Sequence, residues 1–172
     1  MTFKFMSLVA LAVGGILAFS AAGSAQEVIF LVRHTDPPPL LSLDEILDET
    51  PLSESGQQRA KMLAERLKDI GISAIYATET VRTQQTAEPL AKLLGLEVKI
   101  HPLEDVDGMV KILRSDHQGK RVLLVGHWST IPLIIKALGN TEEVTIGRSE
   151  FDNLFVVIPK GEQPPTVLHV HY

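Results

Sequence analysis

The 172-residue sequence contains no cysteine, which excludes disulfide bonds and thiol chemistry. It also lacks a long basic run, and its formal net charge is −5. An acidic protein of this kind is not expected to bind nucleic acid or an anionic membrane surface. Any anionic ligand must therefore be attracted by a local cluster of positive charge rather than by the field of the whole protein.

The first 25 residues, Met1–Ala25, have the composition of a secretory signal peptide. Lys4 precedes an apolar stretch from Met6 to Phe19, and small residues then lead to a predicted cleavage site before Gln26. The apolar stretch is short for a membrane span, although a retained N-terminal anchor is the alternative. Export predicts a periplasmic or secreted protein that has no stable membrane association after the leader is removed.

The remaining chain, 26–172, is predicted to form one α/β domain. Apolar runs of strand length alternate with amphipathic helices, which predicts a three-layer α/β/α fold with a mostly parallel central sheet. The predicted strands are 27–32, 73–77, 96–100, 121–125, 151–158 and 166–171. The predicted helices are 53–70, 78–94 or 80–94, 109–117 and 129–138, and Leu40–Asp48 has the pattern of a further helical turn or two.

Basic residues follow three of the predicted strands near their carboxyl ends. Arg33 and His34 follow the first strand, His127 follows the strand 121–125, and Arg82 begins the helix after the second strand. In a parallel sheet these ends meet at one edge, where ligands bind. Guanidinium groups suit the tetrahedral oxygens of a phosphoryl group, so the pattern predicts a phosphate pocket.

Each of these residues has a structural explanation when it is taken alone. An Arg-His pair is common, a histidine after a strand is often structural, and Arg82 could simply face solvent. Their joint occurrence at one edge of the sheet favours the functional interpretation.

Four segments carry a more specific pattern, and they occur in a fixed order along the chain. They are Phe30–Thr35 (FLVRHT), Pro51–Ala60 (PLSESGQQRA), Ala77–Ala87 (ATETVRTQQTA) and Val125–His127 (VGH). Together they resemble the motifs of the histidine phosphatase superfamily, the group that includes phosphoglycerate mutases and acid phosphatases. The resemblance extends over most of the chain after the leader and implies a phosphoglycerate mutase-like fold.

The resemblance implies that His34 attacks phosphorus to form a phosphohistidine, which water then hydrolyses. Arg33, Arg82 and His127 would bind the phosphoryl oxygens, so that no metal or other cofactor is required. The expected activity is that of a phosphatase acting on a phosphorylated small molecule. The 147 residues after the leader are too few for the insertions that a mutase uses to hold its substrate.

Glu104 is the predicted proton donor to the leaving alcohol, because Leu103–Gly108 (LEDVDG) resembles the family's Leu-x-Glu-x-x-x-Gly segment. Asp105 and Asp107 are alternatives, and a solvated acidic loop is a third interpretation. A substrate with a good leaving group, such as a phosphoramidate, would need no acid.

Thr35 stands where the family usually has glycine. Its β-branched side chain restricts the backbone, and its hydroxyl would either contact phosphate or reshape the pocket. This departure keeps open a second class of function, a phosphate-binding or interaction module without turnover. His169 and His171 alternate on the last predicted strand, but two histidines alone make a poor zinc site.

Overall fold

The structure, a computed structural model, describes residues 27–39 and 49–172. The predicted leader, Met1–Ala25, and the predicted helical turns of Leu40–Asp48 lie outside the described residues. Among the described residues, no helix is long and apolar enough to cross a membrane.

The described chain forms one six-stranded sheet with four helices. The strands are β1 (Val28–Arg33), β2 (Ala74–Ala77), β3 (Val98–Ile100), β4 (Arg121–Gly126), β5 (Asn153–Lys160) and β6 (Gln163–His171). The helices are α1 (Glu54–Leu67), α2 (Val81–Leu94), α3 (Val106–Asp116) and α4 (Ile131–Ala137). The strand order is β3-β2-β4-β1-β5-β6.

The sheet is mostly parallel, as predicted. The pairs β1–β4, β2–β4 and β2–β3 are parallel, whereas β5 is antiparallel to β1, and β6 is antiparallel to β5. The first β–α units therefore supply four strands whose carboxyl ends share one edge. The amino end of β5 lies at that same edge because β5 runs in the opposite direction.

Helices cover both faces of the sheet and give the three layers that the sequence predicts. One core cluster includes Met109 and Leu113 of α3 with Ile135 of α4. The other includes Leu63 of α1 with Leu90 of α2. The central strands β1 and β4 are buried on both faces, which explains their nearly continuous apolar sequences.

Several boundaries differ from the sequence prediction by a few residues, and two of these differences have a clear physical reason. Helix α3 begins at Val106, earlier than predicted, because the Asp105 carboxylate caps it by accepting a hydrogen bond from the Gly108 N–H at 2.9 Å. Strand β6 includes Pro164 and Pro165, which were expected between strands. Proline is tolerated there because β6 is an edge strand.

The amino end of α1 fixes the loop that leaves β1. Ser53 caps the helix by accepting a hydrogen bond from the Gly56 N–H at 3.0 Å. The Ser53 backbone N–H and its hydroxyl both donate to the Asp36 carbonyl, each at 3.0 Å. The loop packs so closely on the helix that a Cβ atom at Gly56 would overlap the Asp36 carbonyl oxygen. Glycine at position 56 is therefore required by this close approach.

Replacement of Gly56 by alanine is expected to displace the loop from α1 and to lower the free energy of unfolding by about 1–3 kcal/mol. Urea denaturation measures the change. Gln58→Ala, on an exposed position of the same helix, is the matched control. Equal stability of Gly56→Ala and Gln58→Ala would contradict the close packing described here.

Candidate active site

The four predicted basic residues line one cavity at the carboxyl ends of β1 and β4. The cavity has a volume of about 600 Å³, within the range of small-molecule sites. Arg33, His34, Arg82 and His127 all line it, and all four are buried. The rings of His34 and His127 lie 5.2 Å apart between centroids. The structure therefore brings together the cluster that strand-end positions predicted.

The His34 ring is held by the backbone of the next residue. Its Nδ1 lies 2.8 Å from the Thr35 carbonyl oxygen. A carbonyl can only accept a hydrogen bond, so the neutral ring must carry its proton on Nδ1. Nε2 then has a free lone pair, which is the form that a nucleophilic histidine needs.

Burial keeps both site histidines neutral. Desolvation lowers the pKa of His34 to about 3, with smaller contributions from the neighbouring positive groups, and the hydrogen bond to Thr35 opposes the shift. Desolvation also lowers the pKa of His127 to about 4, and Arg82 and Arg33 add to the effect. The arginines remain the cations of the pocket, although burial and then Arg82 lower the pKa of Arg33 to about 10.

Arg33 is fixed by a segment distant in the sequence. Its Nη1 donates to the Gly147 carbonyl at 2.9 Å and to the Glu150 carbonyl at 2.8 Å. The guanidinium carbon lies 4.0 Å from the centroid of the Phe151 ring, in cation–π geometry. These contacts hold a buried cation beside His34 without neutralising it by a carboxylate.

His127 is oriented by a threonine at the end of β2. Its Nε2 lies 2.9 Å from the Thr78 hydroxyl, and its backbone N–H donates to the Thr130 hydroxyl at 3.2 Å. Thr78 lies in turn within hydrogen-bond distance of the Thr83 hydroxyl, at 2.9 Å. His127 is thus positioned by Thr78, which follows β2, and by Thr130, which precedes α4.

Thr35 does not reach the cavity through its hydroxyl. The side chain is fully buried, and its hydroxyl donates to the Gly56 carbonyl at 2.8 Å. Its backbone N–H donates to the Thr86 hydroxyl at 3.0 Å. No described non-glycine residue has a positive φ, so the position does not need the backbone freedom of glycine. The phosphate contact expected of the Thr35 hydroxyl is therefore absent from this arrangement, and threonine fits here without backbone strain.

Glu104 and its two alternatives also lie away from the lining of the cavity. Glu104 and Asp107 are exposed, and Asp105 caps α3. Among the described residues, Asp36 is the one carboxylate that lines the cavity, and it forms an ion pair with Arg59 at 2.7 Å. The sequence resemblance at Leu103–Gly108 thus does not correspond to a carboxylate placed beside His34.

The outer part of the cavity contains residues outside the predicted basic cluster. It is lined by Pro37, Pro38, Pro39, Trp128, Arg148 and Phe151. The ring of Trp128 lies beneath the Arg148 guanidinium group, whose central carbon is 4.8 Å from the ring centroid. The segment with Arg148 and Phe151 reaches the site because β5 is antiparallel. This segment could have been placed at the site only if the direction of β5 were known, and the residue pattern does not indicate that direction.

The terminal histidines form no metal cluster. His169 lies within hydrogen-bond distance of the Asn153 side-chain oxygen, and His171 lies 3.1 Å from Asp152. Over residues 27–39 and 49–172, no group of three or more histidine, cysteine or acidic side chains has the geometry of a metal site.

Comparison with known families identifies the chain. Residues 29–107 match the sequence model of the histidine phosphatase superfamily, branch 1. The chain belongs to the histidine phosphatase superfamily. The matched segment includes Arg33, His34 and Arg82, and this membership supports a phosphatase or mutase-type enzyme.

Two of the similar curated proteins are named as probable phosphoglycerate mutases. The "Probable phosphoglycerate mutase GpmB" of Cronobacter sakazakii is 30% identical over 128 residues, which cover 70% of this chain and 59% of that protein. The protein of the same name from an Enterobacter species is 38% identical over 60 residues, which cover 34% of this chain and 28% of that protein. The chain therefore spans less than two thirds of the length of these relatives.

Solved structures of phosphatases share the fold. The protein histidine phosphatase SixA, complexed with tungstate, superposes with a TM-score of 0.68 at 19% identity, covering 84% of this chain and 96% of that one. The mycobacterial glucosyl-3-phosphoglycerate phosphatase superposes with a TM-score of 0.63 at 17% identity, covering 84% of this chain and 97% of that one. At these identities the likeness shows the fold alone.

The lowered pKa of His34 predicts that acid destabilises the protein. The unfolded chain takes up a proton at this residue near pH 6.5, whereas the folded chain does so near its pKa of about 3. Stability must therefore fall as the pH decreases below about 6.5. His34→Gln removes this contribution, so the loss of unfolding free energy between pH 7 and pH 4.5 is expected to be about 2 kcal/mol smaller than in the wild type.

Urea denaturation in phosphate-free buffer at the two pH values makes the measurement. His171→Gln is the matched control, because the side chain of His171 is 58% exposed. If His34→Gln lost as much stability as the wild type, His34 would not be a desolvated neutral histidine.

Proposed function

We propose that the chain is an exported phosphatase that hydrolyses phosphate monoesters or phosphoramidates through a phosphohistidine on His34. The observation that carries the proposal is the hydrogen bond from His34 Nδ1 to the Thr35 carbonyl. It leaves Nε2 free in a cavity shared with two buried arginines. That combination suits nucleophilic attack on phosphorus better than simple anion binding, which would require no particular tautomer.

The reaction proceeds in two displacements at phosphorus. In the first, His34 Nε2 forms a bond to phosphorus while the bond to the leaving oxygen or nitrogen breaks. In the second, water attacks phosphorus, the bond to Nε2 breaks, and inorganic phosphate leaves. Arg33, Arg82 and His127 stabilise the oxygens of the transferring group in both steps.

The leaving group has a different environment from the phosphoryl group. It would occupy the outer cavity, among Pro37–Pro39 and Trp128. Among the described residues, the one carboxylate that lines the cavity is Asp36, and it is paired with Arg59 rather than directed at a leaving group. We therefore propose that the preferred substrates have leaving groups that depart without protonation by the enzyme, as phosphoramidates and aryl phosphates do.

Export of the protein rests on the composition of Met1–Ala25. The proposed location is the periplasm or the cell exterior, and the proposed ligand is a phosphorylated small molecule or phosphate. Sequencing the amino end of the purified protein tests this part, which requires Gln26 or a near neighbour as the first residue.

His34→Ala is expected to lower kcat on an aryl phosphate by at least about a thousandfold, because the attacking nitrogen is lost. Rapid acid-free quenching with a radiolabelled phosphoryl donor should trap label on the wild type and none on the variant. His171→Ala, which removes an exposed histidine, is the control.

If the wild type bound inorganic phosphate but showed no turnover, the enzyme hypothesis would be contradicted and the alternative, a phosphate-binding module, would be favoured. Turnover in His34→Ala at the wild-type rate would show that another residue is the nucleophile.

Glu104→Ala is expected to have a small effect on kcat/KM, and the same effect for alkyl and aryl phosphates, because the exposed Glu104 does not line the cavity. A general acid would behave differently, since its loss slows poor leaving groups by about 10²-fold or more. Measuring kcat/KM for glycerol phosphate, an aryl phosphate and a phosphoramidate distinguishes the two cases. A decrease in kcat/KM that is confined to glycerol phosphate would support Glu104 as the proton donor.

A further inference from the structure

The segment before β5 forms a tight turn whose carbonyl groups bind Arg33. The Gly147 and Glu150 carbonyls both accept from Arg33 Nη1, at 2.9 and 2.8 Å. The two acceptors belong to the ends of one turn, and the Glu150 N–H donates to the Gly147 carbonyl at 3.1 Å. The position of this guanidinium group therefore depends on the shape of the turn.

The Glu150 side chain also stabilises the turn, by a hydrogen bond to its first residue. Its carboxylate accepts from the Gly147 N–H at 2.9 Å, and this hydrogen bond is the main reason that the pKa of Glu150 is lowered. The Asn153 amide donates to the same carboxylate oxygen at 3.4 Å. Asn153 is fully buried, and its oxygen lies 2.6 Å from His169 Nε2. A chain of hydrogen bonds thus links the turn to the edge strands of the sheet.

Glu150 itself lies outside the catalytic cavity. It lines a different cavity, together with His169 and His171, on the other side of the turn. The carboxylate cannot contact a phosphoryl group at His34 from there. Its influence on the site therefore passes through Arg33. It acts on Arg33 by way of the two carbonyls that hold the guanidinium group, and also by a direct Coulombic attraction that raises the pKa of Arg33.

We infer that Glu150 is a positioning residue, which holds the turn 147–150 so that its two carbonyls aim Arg33 at the phosphoryl group. The inference rests on the proposed role of Arg33 as a phosphate ligand. It assigns a function to a residue that touches neither the substrate nor the nucleophile. The shape of the turn needs a hydrogen-bond acceptor at the end of the side chain, since both partners of the carboxylate are N–H donors. The negative charge acts separately, by its Coulombic attraction to Arg33.

The experiment compares Glu150→Ala with Glu150→Gln, which keeps an acceptor oxygen. The affinity for inorganic phosphate, measured by calorimetry, is expected to fall about threefold to tenfold in Glu150→Ala, as for the loss of one or two hydrogen bonds. Glu150→Gln should restore most of it. Glu143→Ala is the matched control, because Glu143 is an exposed glutamate that lines the same cavity as Glu150 and not the catalytic cavity; this variant should bind phosphate as the wild type does.

A double-mutant cycle with Arg33→Met separates positioning from a general loss of stability. If Glu150 acts through Arg33, adding Glu150→Ala to Arg33→Met should not weaken phosphate binding further. An equal loss in both backgrounds would overturn the inference, as would wild-type affinity in Glu150→Ala. Should Arg33→Met not fold, a Glu150→Gln variant as weak as Glu150→Ala would also overturn it.

These measurements use binding, so they do not depend on turnover. A wild type that binds phosphate but does not hydrolyse any ester would contradict the proposed function and leave the positioning role to be decided by the variants. Full turnover with unchanged phosphate affinity in Glu150→Ala would contradict the positioning role alone.

Discussion

The hydrogen bond from His34 Nδ1 to the Thr35 carbonyl joins the ring to a backbone position one residue away, so the ring is only as well placed as that backbone. Helices α1 and α2 hold the backbone at Thr35 by hydrogen bonds. The Thr35 N–H is bonded to Thr86 of α2, and the Thr35 hydroxyl is bonded to the Gly56 carbonyl of α1. The tautomer of His34 is thus set by the packing of two helices on the sheet.

Burial affects the charge of the histidines and of the arginines in the pocket differently. The same desolvation that lowers the pKa values of His34 and His127 leaves the arginines charged, because a guanidinium group starts from a much higher pKa. The site therefore combines neutral imidazoles with positive guanidinium groups at neutral pH. Its local charge is thus positive although the formal net charge of the chain is −5.

The parallel part of the sheet and the inner residues of the site could be predicted, because buried parallel strands leave a strong apolar pattern and place their carboxyl ends together. Arg33, His34, Arg82 and His127 follow that rule. The position of the turn at Gly147–Glu150 could not be predicted in this way, because the residue pattern does not indicate that β5 is antiparallel to β1. For Glu104 the local likeness of sequence predicts a proton donor, but it does not report that the side chain lies outside the lining of the cavity.

The bonds from Arg33 to Gly147 and Glu150 span 114 and 117 positions of the chain. Contacts of such separation require the closure of a long loop. A chain synthesised only as far as β4 contains Arg33 and His34 but not the two carbonyls that hold Arg33. The placement of Arg33 is therefore a property of the whole sheet, and it cannot be reached by the parallel strands alone.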